Sequence, residues 1–98
     1  MNISIIVPVY NAAATIEQCL SAIVRYAPPY TEIIVVDDAS TDGSNALISK
    51  FPVKLIRLKK NMGSGNARNV GMLQSSGDIV IFIDADVVVQ SDSFPLLL

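Results

Sequence analysis

The stretch EIIVVDDASTDGS, Glu32 to Ser44, decides the fold. After one acid its first half is apolar at every position, and then it turns abruptly polar. An amphipathic helix would place apolar residues every three or four positions, and a strand with one wet face would alternate. A run that is apolar throughout reads as a strand covered on both faces, the habit of parallel sheets. Ile3 to Val9 (ISIIVPV) and Ile79 to Ile83 (IVIFI) are of the same kind. Val53 to Leu58 (VKLIRL) alternates, as suits a strand nearer an edge.

Helical stretches separate these runs. Ile16, Leu20, Ile23, Val24 and Ala27 form one stripe, closed by Pro28 and Pro29, with Cys19 at its border as a half-buried structural thiol. Ser40 to Asp42 offer N-cap candidates for a short second helix ending near Lys50, with Pro52 as its stop. Asn61 to Gly65 read as a Gly-rich turn, and a third helix is expected from about Asn66 to Ser75, with Gly77 beyond it. The order is β-α-β-α-β-α-β. Right-handed crossovers then give an α/β fold, a mostly parallel open sheet with helices on both faces. Residues 1–98 form a single domain. They stop on Leu96 to Leu98 with nothing after them to bury those side chains, so a truncated domain is expected.

Composition excludes several functions. With 98 residues, 51% hydrophobic and mean hydropathy +0.48, the chain can build a real core. The net charge is −2, and basic residues are scattered apart from Lys59 and Lys60, so neither nucleic acid nor an anionic membrane is an expected partner. A lone Cys19 leaves no internal disulfide and fits a reducing compartment. No stretch approaches the roughly 18 apolar residues that span a bilayer, and the N-terminus lacks the basic segment of a signal peptide. The expected location is cytoplasmic.

In open α/β sheets, ligands bind outside the carboxyl ends of the strands. There the polar residues gather: YNAAAT after the first strand, DDASTDGS after the second, Lys59 to Asn61 after the third and DADVVVQSD after the fourth. Asp84 and Asp86, two apart in extended backbone, would face one space. They read either as two solvated loop acids or as ligands of a hard divalent cation, Mg2+ or Mn2+, that shares its shell with phosphates and water. Of Asp37 and Asp38, one is expected to face the cleft and the other to brace the following turn. Both acids serving only the turn is the plainer alternative. The glycines at 63, 65 and 71 do not make the G-x-G-x-x-G of a dinucleotide site. Arg68, one turn into the third helix, is either a solvated arginine or a fork of donors for a carboxylate, phosphate or base carbonyl. Tyr10 and Asn11 read equally as packed and capping residues, or as an aromatic wall for a flat base beside Pro8.

Taken in order, IIVPVYN, EIIVVDDASTDGS, NMGSGNARNVG and IFIDAD strongly resemble the N-terminal half of the family 2 glycosyltransferases, inverting enzymes of the GT-A fold. The resemblance covers nearly the whole chain. It implies a nucleotide-sugar-binding half-domain, usually for UDP-sugars, in cell-wall or polysaccharide biosynthesis. Pro8, Tyr10 and Asn11 match the lining of the base pocket, and Asp38 the acid that reads the uracil edge. Arg68 matches the arginine near base and diphosphate. Of the D-x-D, Asp84 matches the acid toward the ribose, and Asp86 the acid on the metal of the diphosphate.

The resemblance further implies transfer of the sugar to an acceptor hydroxyl of a glycan, lipid carrier or protein, with inversion and metal assistance. Two departures stand out. Ala12 replaces a Glu that often follows YN, and no acid after Asp92 can serve as the general base, which is expected downstream of residue 98. The 98 residues alone are expected to carry donor binding without useful transfer, and a full-length parent to sit at the inner face of the membrane. The alternatives are a receiver-like phosphoacceptor domain, whose acid pair would follow the first strand, and a non-enzymatic nucleotide-binding or assembly module. Pairing of an exposed sheet edge and the leucine tail with a partner chain belongs to that last reading, and a truncated half-domain is itself expected to self-associate through its exposed edge.

Overall fold

The computed structural model describes residues 2–94. Its elements are β1 (Ile3–Val9), α1 (Ile16–Tyr26), β2 (Glu32–Asp37), α2 (Ser44–Ile48), β3 (Lys54–Arg57), α3 (Ser64–Gln74) and β4 (Ile79–Phe82). The four strands lie parallel in the order β3-β2-β1-β4. Register is set by Val7 opposite Val35, Ile5 opposite Ile81 and Val36 opposite Ile56.

β1, apolar except for Ser4, is buried at every position, because the strand pleat sends alternate residues to two separate cores. Ile3, Ile5, Val7 and Val9 join Ile16, Leu20 and Ile23 of α1 and Ile48 of α2 on one face. Ile6 meets Ile34, Val36 and Ala67 of α3 on the other. Helices thus cover both faces, as expected. The α3 face is thin: at Gly71 a Cβ would sit 2.5 Å from Ile6 Cγ2, so a glycine there lets the helix settle directly onto the sheet.

Several boundaries or placements differ from expectation; β3 and β4 are shorter than their apolar runs, and α2 ends at Ile48. β2 runs one residue further, through Asp37, which pairs with both Val9 and Arg57. α2 starts only at Ser44, because Gly43 (φ 87) turns the chain immediately before it; Asp42 still accepts the Ser44 N–H (3.1 Å) at the helix entrance, while Ser40 and Thr41 bond the loop after β1. α3 starts at Ser64 rather than Asn66, since Gly63 (φ 96) absorbs the turn by itself. Finally, β4 is uniformly apolar yet lies at an edge, bonded among the described residues to β1 alone, with Phe82 43% exposed. The leucine tail, Leu96 to Leu98, lies outside the described residues.

Parallel strands bring their carboxyl ends to one rim. Three backbone bonds beyond the ladders tie those ends together: Asp38 N–H to the Val9 carbonyl (2.8 Å), Leu58 N–H to that of Asp37 (2.9 Å) and Ile83 N–H to that of Ile6 (3.0 Å).

Candidate functional site

At the rim, the loops after β1 and β2 are stitched into one unit. Asn11 turns the chain with a left-handed backbone (φ 49), a conformation asparagine tolerates better than most residues. Its N–H donates to Ser40 Oγ (2.9 Å), and its Oδ1 accepts the Thr41 N–H (2.8 Å). Ala12 N–H donates to Ser44 Oγ (3.1 Å), and Ala13 N–H to Asp42 Oδ2 (3.0 Å). The Ser44 hydroxyl, followed by the Ala13 amide, holds the Asp42 carboxyl below the usual carboxylate range. Ser40 and Asp42, expected as N-cap candidates of the second helix, join the two loops together with Ser44.

The two acids closing β2 divide their work. Asp37, fully buried, accepts the Ser40 N–H (3.2 Å) and the Ser40 hydroxyl and so braces the turn. Asp38, equally buried, accepts the amide protons of Met62 (2.9 Å) and Gly63 (2.8 Å) and ties the Gly-rich turn to β2. It also lines a notch of about 60 Å³ with Pro8, Val9, Tyr10, Ser64 and Ala67. A carboxylate offers about four acceptor positions, so two amides do not exhaust it. Tyr10, 51% exposed, forms one lip. The structure thus gathers Pro8, Tyr10 and Asp38, while Asn11 holds the adjoining loop. Ser64 and Ala67 were not anticipated; their place on the first turns after Gly63 was the only signal.

Arg68 reaches from α3 to the other acid cluster. Its Nη2 lies 3.4 Å from Asp84 Oδ1, with the side chains 40% and 63% exposed. The D-x-D does not sit in extended backbone. β4 ends at Phe82, and the Val87 N–H bonds the Asp84 carbonyl (3.0 Å), so Asp84 to Val87 form a turn and the alternation argument for the pair does not apply. Burial pushes the Cys19 thiol up to about 11, with Asp86 and then Asp84 adding to the rise. Asp86 is exposed and has no ion pair among the described residues.

Two α1 side chains support this turn from below. Thr15 Oγ1 donates to the Ala85 carbonyl (3.0 Å), and Cys19 Sγ to that of Asp84 (3.6 Å). Nothing in the sequence pointed to either contact, and Cys19 is fully buried rather than half-buried. No group of three or more His, Cys, Asp or Glu is arranged to hold a metal among the described residues. Two hard carboxylates suit an Mg2+ or Mn2+ ion that completes its shell with phosphates and water, and do not make an all-protein cage. A larger groove of about 940 Å³ runs along α1 past Phe51 and residues 88–91, but none of Pro8, Tyr10, Asn11, Asp38, Arg68, Asp84 or Asp86 lines it.

The family model Glycosyl transferase family 2 matches residues 4–98. Glycosyltransferase AglE of Haloferax volcanii is 38% identical over 91 residues, which cover 86% of this chain and 30% of AglE. The crystal structure of S. aureus TarS 1–349 in complex with UDP-GlcNAc matches with a TM-score of 0.90 and 32% identity, over 99% of this chain and 30% of that one. Mannosyltransferase PcManGT from Pyrobaculum calidifontis, in complex with GDP-Man and Mn2+, matches with a TM-score of 0.87 and 30% identity, over 94% of this chain and 30% of that one. This chain therefore spans less than a third of each of these proteins. With the four-stranded parallel sheet, the ordered motifs and a family match over nearly the full length, the chain belongs to glycosyl transferase family 2 and has its GT-A fold.

Proposed function

We propose that this chain is the donor-binding part of a transferase that moves a sugar from a nucleotide diphosphate sugar, first of all a UDP-sugar, to an acceptor hydroxyl with inversion. The observation that carries this reading is the meeting at one strand-tip rim of the Tyr10–Asp38 notch with the Arg68–Asp84 contact. Tyr10 would lie against the base, with Pro8 stiffening the wall. Asp38 would use its spare lone pairs for a base N–H, and Asn11 would hold the loop that carries Tyr10. Arg68 would turn its donors to the diphosphate, and Asp84 would face the ribose. Asp86, with Asp84 beside it, would hold Mn2+ or Mg2+. When bound, that ion supplies positive charge against the charge developing on the leaving diphosphate.

The neighbours seen with UDP-GlcNAc and with GDP-Man and Mn2+ support a nucleotide-sugar donor and a divalent ion. The acceptor, whether glycan, lipid carrier or protein, and a general base to take its proton are assigned to segments downstream of residue 98, in a parent acting in polysaccharide or cell-wall synthesis. No helix among the described residues is long and apolar enough to cross a membrane. A cytoplasmic position, with the parent at the inner membrane face, is part of the proposal. The 98 residues alone would bind donor without transferring sugar at a useful rate. They would also self-associate through the bare β4 edge beside Phe82, which sedimentation at rising concentration would register.

Calorimetric titration with UDP, GDP and TDP, with and without Mn2+, tests the central reading. One diphosphate should bind, more tightly with Mn2+, and Asp86→Ala should remove the Mn2+-dependent part. Binding of none of the three, or an unchanged Mn2+ effect in that variant, would overturn it.

A further inference from the structure

Thr15 stands at the N-cap of α1, where threonine ordinarily accepts an amide proton from its own first turn. Here it makes no side-chain cap bond, and its hydroxyl donates to the Ala85 carbonyl at 3.0 Å instead. One turn along α1, the thiol of fully buried Cys19 donates to the preceding carbonyl, that of Asp84, at 3.6 Å. The two contacts bridge sequence separations of 70 and 65 residues. They grip consecutive peptide groups at the centre of the D-x-D turn. The Asp84 side chain has a further hold in Arg68, whereas Asp86 has none among the described residues. Of the Asp86 side chain, the backbone of its turn fixes the point of departure, the Cα–Cβ direction, and so the space the carboxylate can reach.

We infer that Thr15, seconded by Cys19, is a positioning residue: by holding the Ala85 and Asp84 carbonyls on α1, it aims the Asp86 carboxylate at the cation shared with the donor diphosphate. This rests on the donor-binding reading above. The direction of the bond supports it: a hydroxyl that only capped α1 would accept an amide proton of that helix, whereas this one donates its proton to the D-x-D turn. A carboxylate carried on an ordered turn binds more tightly than one whose backbone must be ordered on binding, since the cost of fixing that backbone is already met in the fold.

The test uses the 98-residue chain, Mn2+ and whichever of UDP and GDP it binds more tightly. Thr15→Val keeps the side-chain shape and removes the donor. Its expected effect is about a fivefold loss of the Mn2+-dependent gain in affinity, the worth of one hydrogen bond, with metal-free nucleotide affinity unchanged. Thr15→Ser, which retains the hydroxyl, should restore the gain, and Cys19→Ala should lower it by a smaller factor. Backbone 15N relaxation should show Ala85 and Asp86 loosened in Thr15→Val while α1 stays rigid. Equal loss with and without Mn2+, or no rescue by serine, would reduce Thr15 to a structural role and overturn the inference. So would a full Mn2+ gain in Thr15→Val while Asp86→Ala abolishes it, and that outcome leaves the donor-binding reading intact. If Asp86→Ala has no effect, the donor-binding reading fails first and the inference with it.

Discussion

The Asp38 carboxylate accepts the Gly63 amide proton at 2.8 Å, so the end of β2 and the entrance of α3 are one rigid piece. Met62 donates to the other carboxylate oxygen (2.9 Å), and the residue is buried. The wall of the notch is thus formed before any ligand arrives.

Replacing Asp38 should consequently cost stability as well as affinity. Asp38→Ala leaves two amides without their acceptor, and a loss of about 1–3 kcal/mol is expected. Asp38→Asn keeps one acceptor oxygen but turns an NH2 toward a backbone N–H, so it should lie between. Urea unfolding measures the stability, and nucleotide titration the affinity. An Asp38→Ala chain as stable as the parent would show that the two amides are satisfied by water.

Arg68 should behave in the opposite way. Its ion pair with Asp84 is half open to solvent, and such pairs contribute about 0–1 kcal/mol. Arg68→Ala should barely move the unfolding midpoint but weaken diphosphate binding markedly, and rising salt should narrow the difference between parent and variant. A large loss of stability with unchanged nucleotide affinity would make the arginine structural.

Two glycines of α3 should respond in opposite directions to alanine. At Gly65 an added Cβ meets nothing within 4 Å, and the helix-favouring change should stabilise by up to about 1 kcal/mol. At Gly71 it would lie 2.5 Å from Ile6 Cγ2 and 3.2 Å from Val36 Cγ2, both on buried residues. Overpacking of this kind costs about 1–3 kcal/mol, which exceeds the helix gain, so Gly71→Ala should melt lower than the parent. Thermal unfolding of both variants decides it.

The sheet was legible because burial on two faces leaves its mark residue by residue: Ile5 and Ile6 serve different cores, so neither position tolerates a polar side chain. β4 shows where that logic stops. Its apolar run signals burial by its chain neighbours, but nothing in IVIFI says whether a strand lies on one side or both. The site was half legible for a similar reason. Asp38, Arg68 and the D-x-D stand at strand ends and helix starts, positions a topology can place. Asn11 to Thr41, Ala13 to Asp42 and Thr15 to Ala85 are bonds across loops, and a polar string such as STDGS looks the same whether it caps its own helix or holds another loop. Nothing in DADV distinguishes extended backbone from the turn that the Val87 amide closes on the Asp84 carbonyl.

Acid should unfold the chain partly through the end of the sheet opposite the rim. Glu32 Oε1 accepts the Ser76 N–H (3.0 Å) and the Ser4 hydroxyl (2.7 Å), and Ser4 Oγ in turn accepts the Gly77 N–H (2.9 Å). The Ser76 amide first, then the Ser4 hydroxyl, hold the Glu32 carboxyl below its ordinary range. Because the folded value is depressed, the stabilisation is fully present above the unfolded value, about 4.3 for glutamate, and is lost as pH falls through the folded one. The bonds to Glu32 all go to Oε1, so protonation at Oε2 keeps them but replaces charge-assisted bonds with weaker neutral ones. Glu32→Gln cannot titrate and should be less stable than the parent at pH 7. The two stabilities should converge as the pH drops below about 4. Urea midpoints measured at intervals from neutral pH downward check this, and a gap between the two chains that stays constant across the acid range would remove Glu32 from the account.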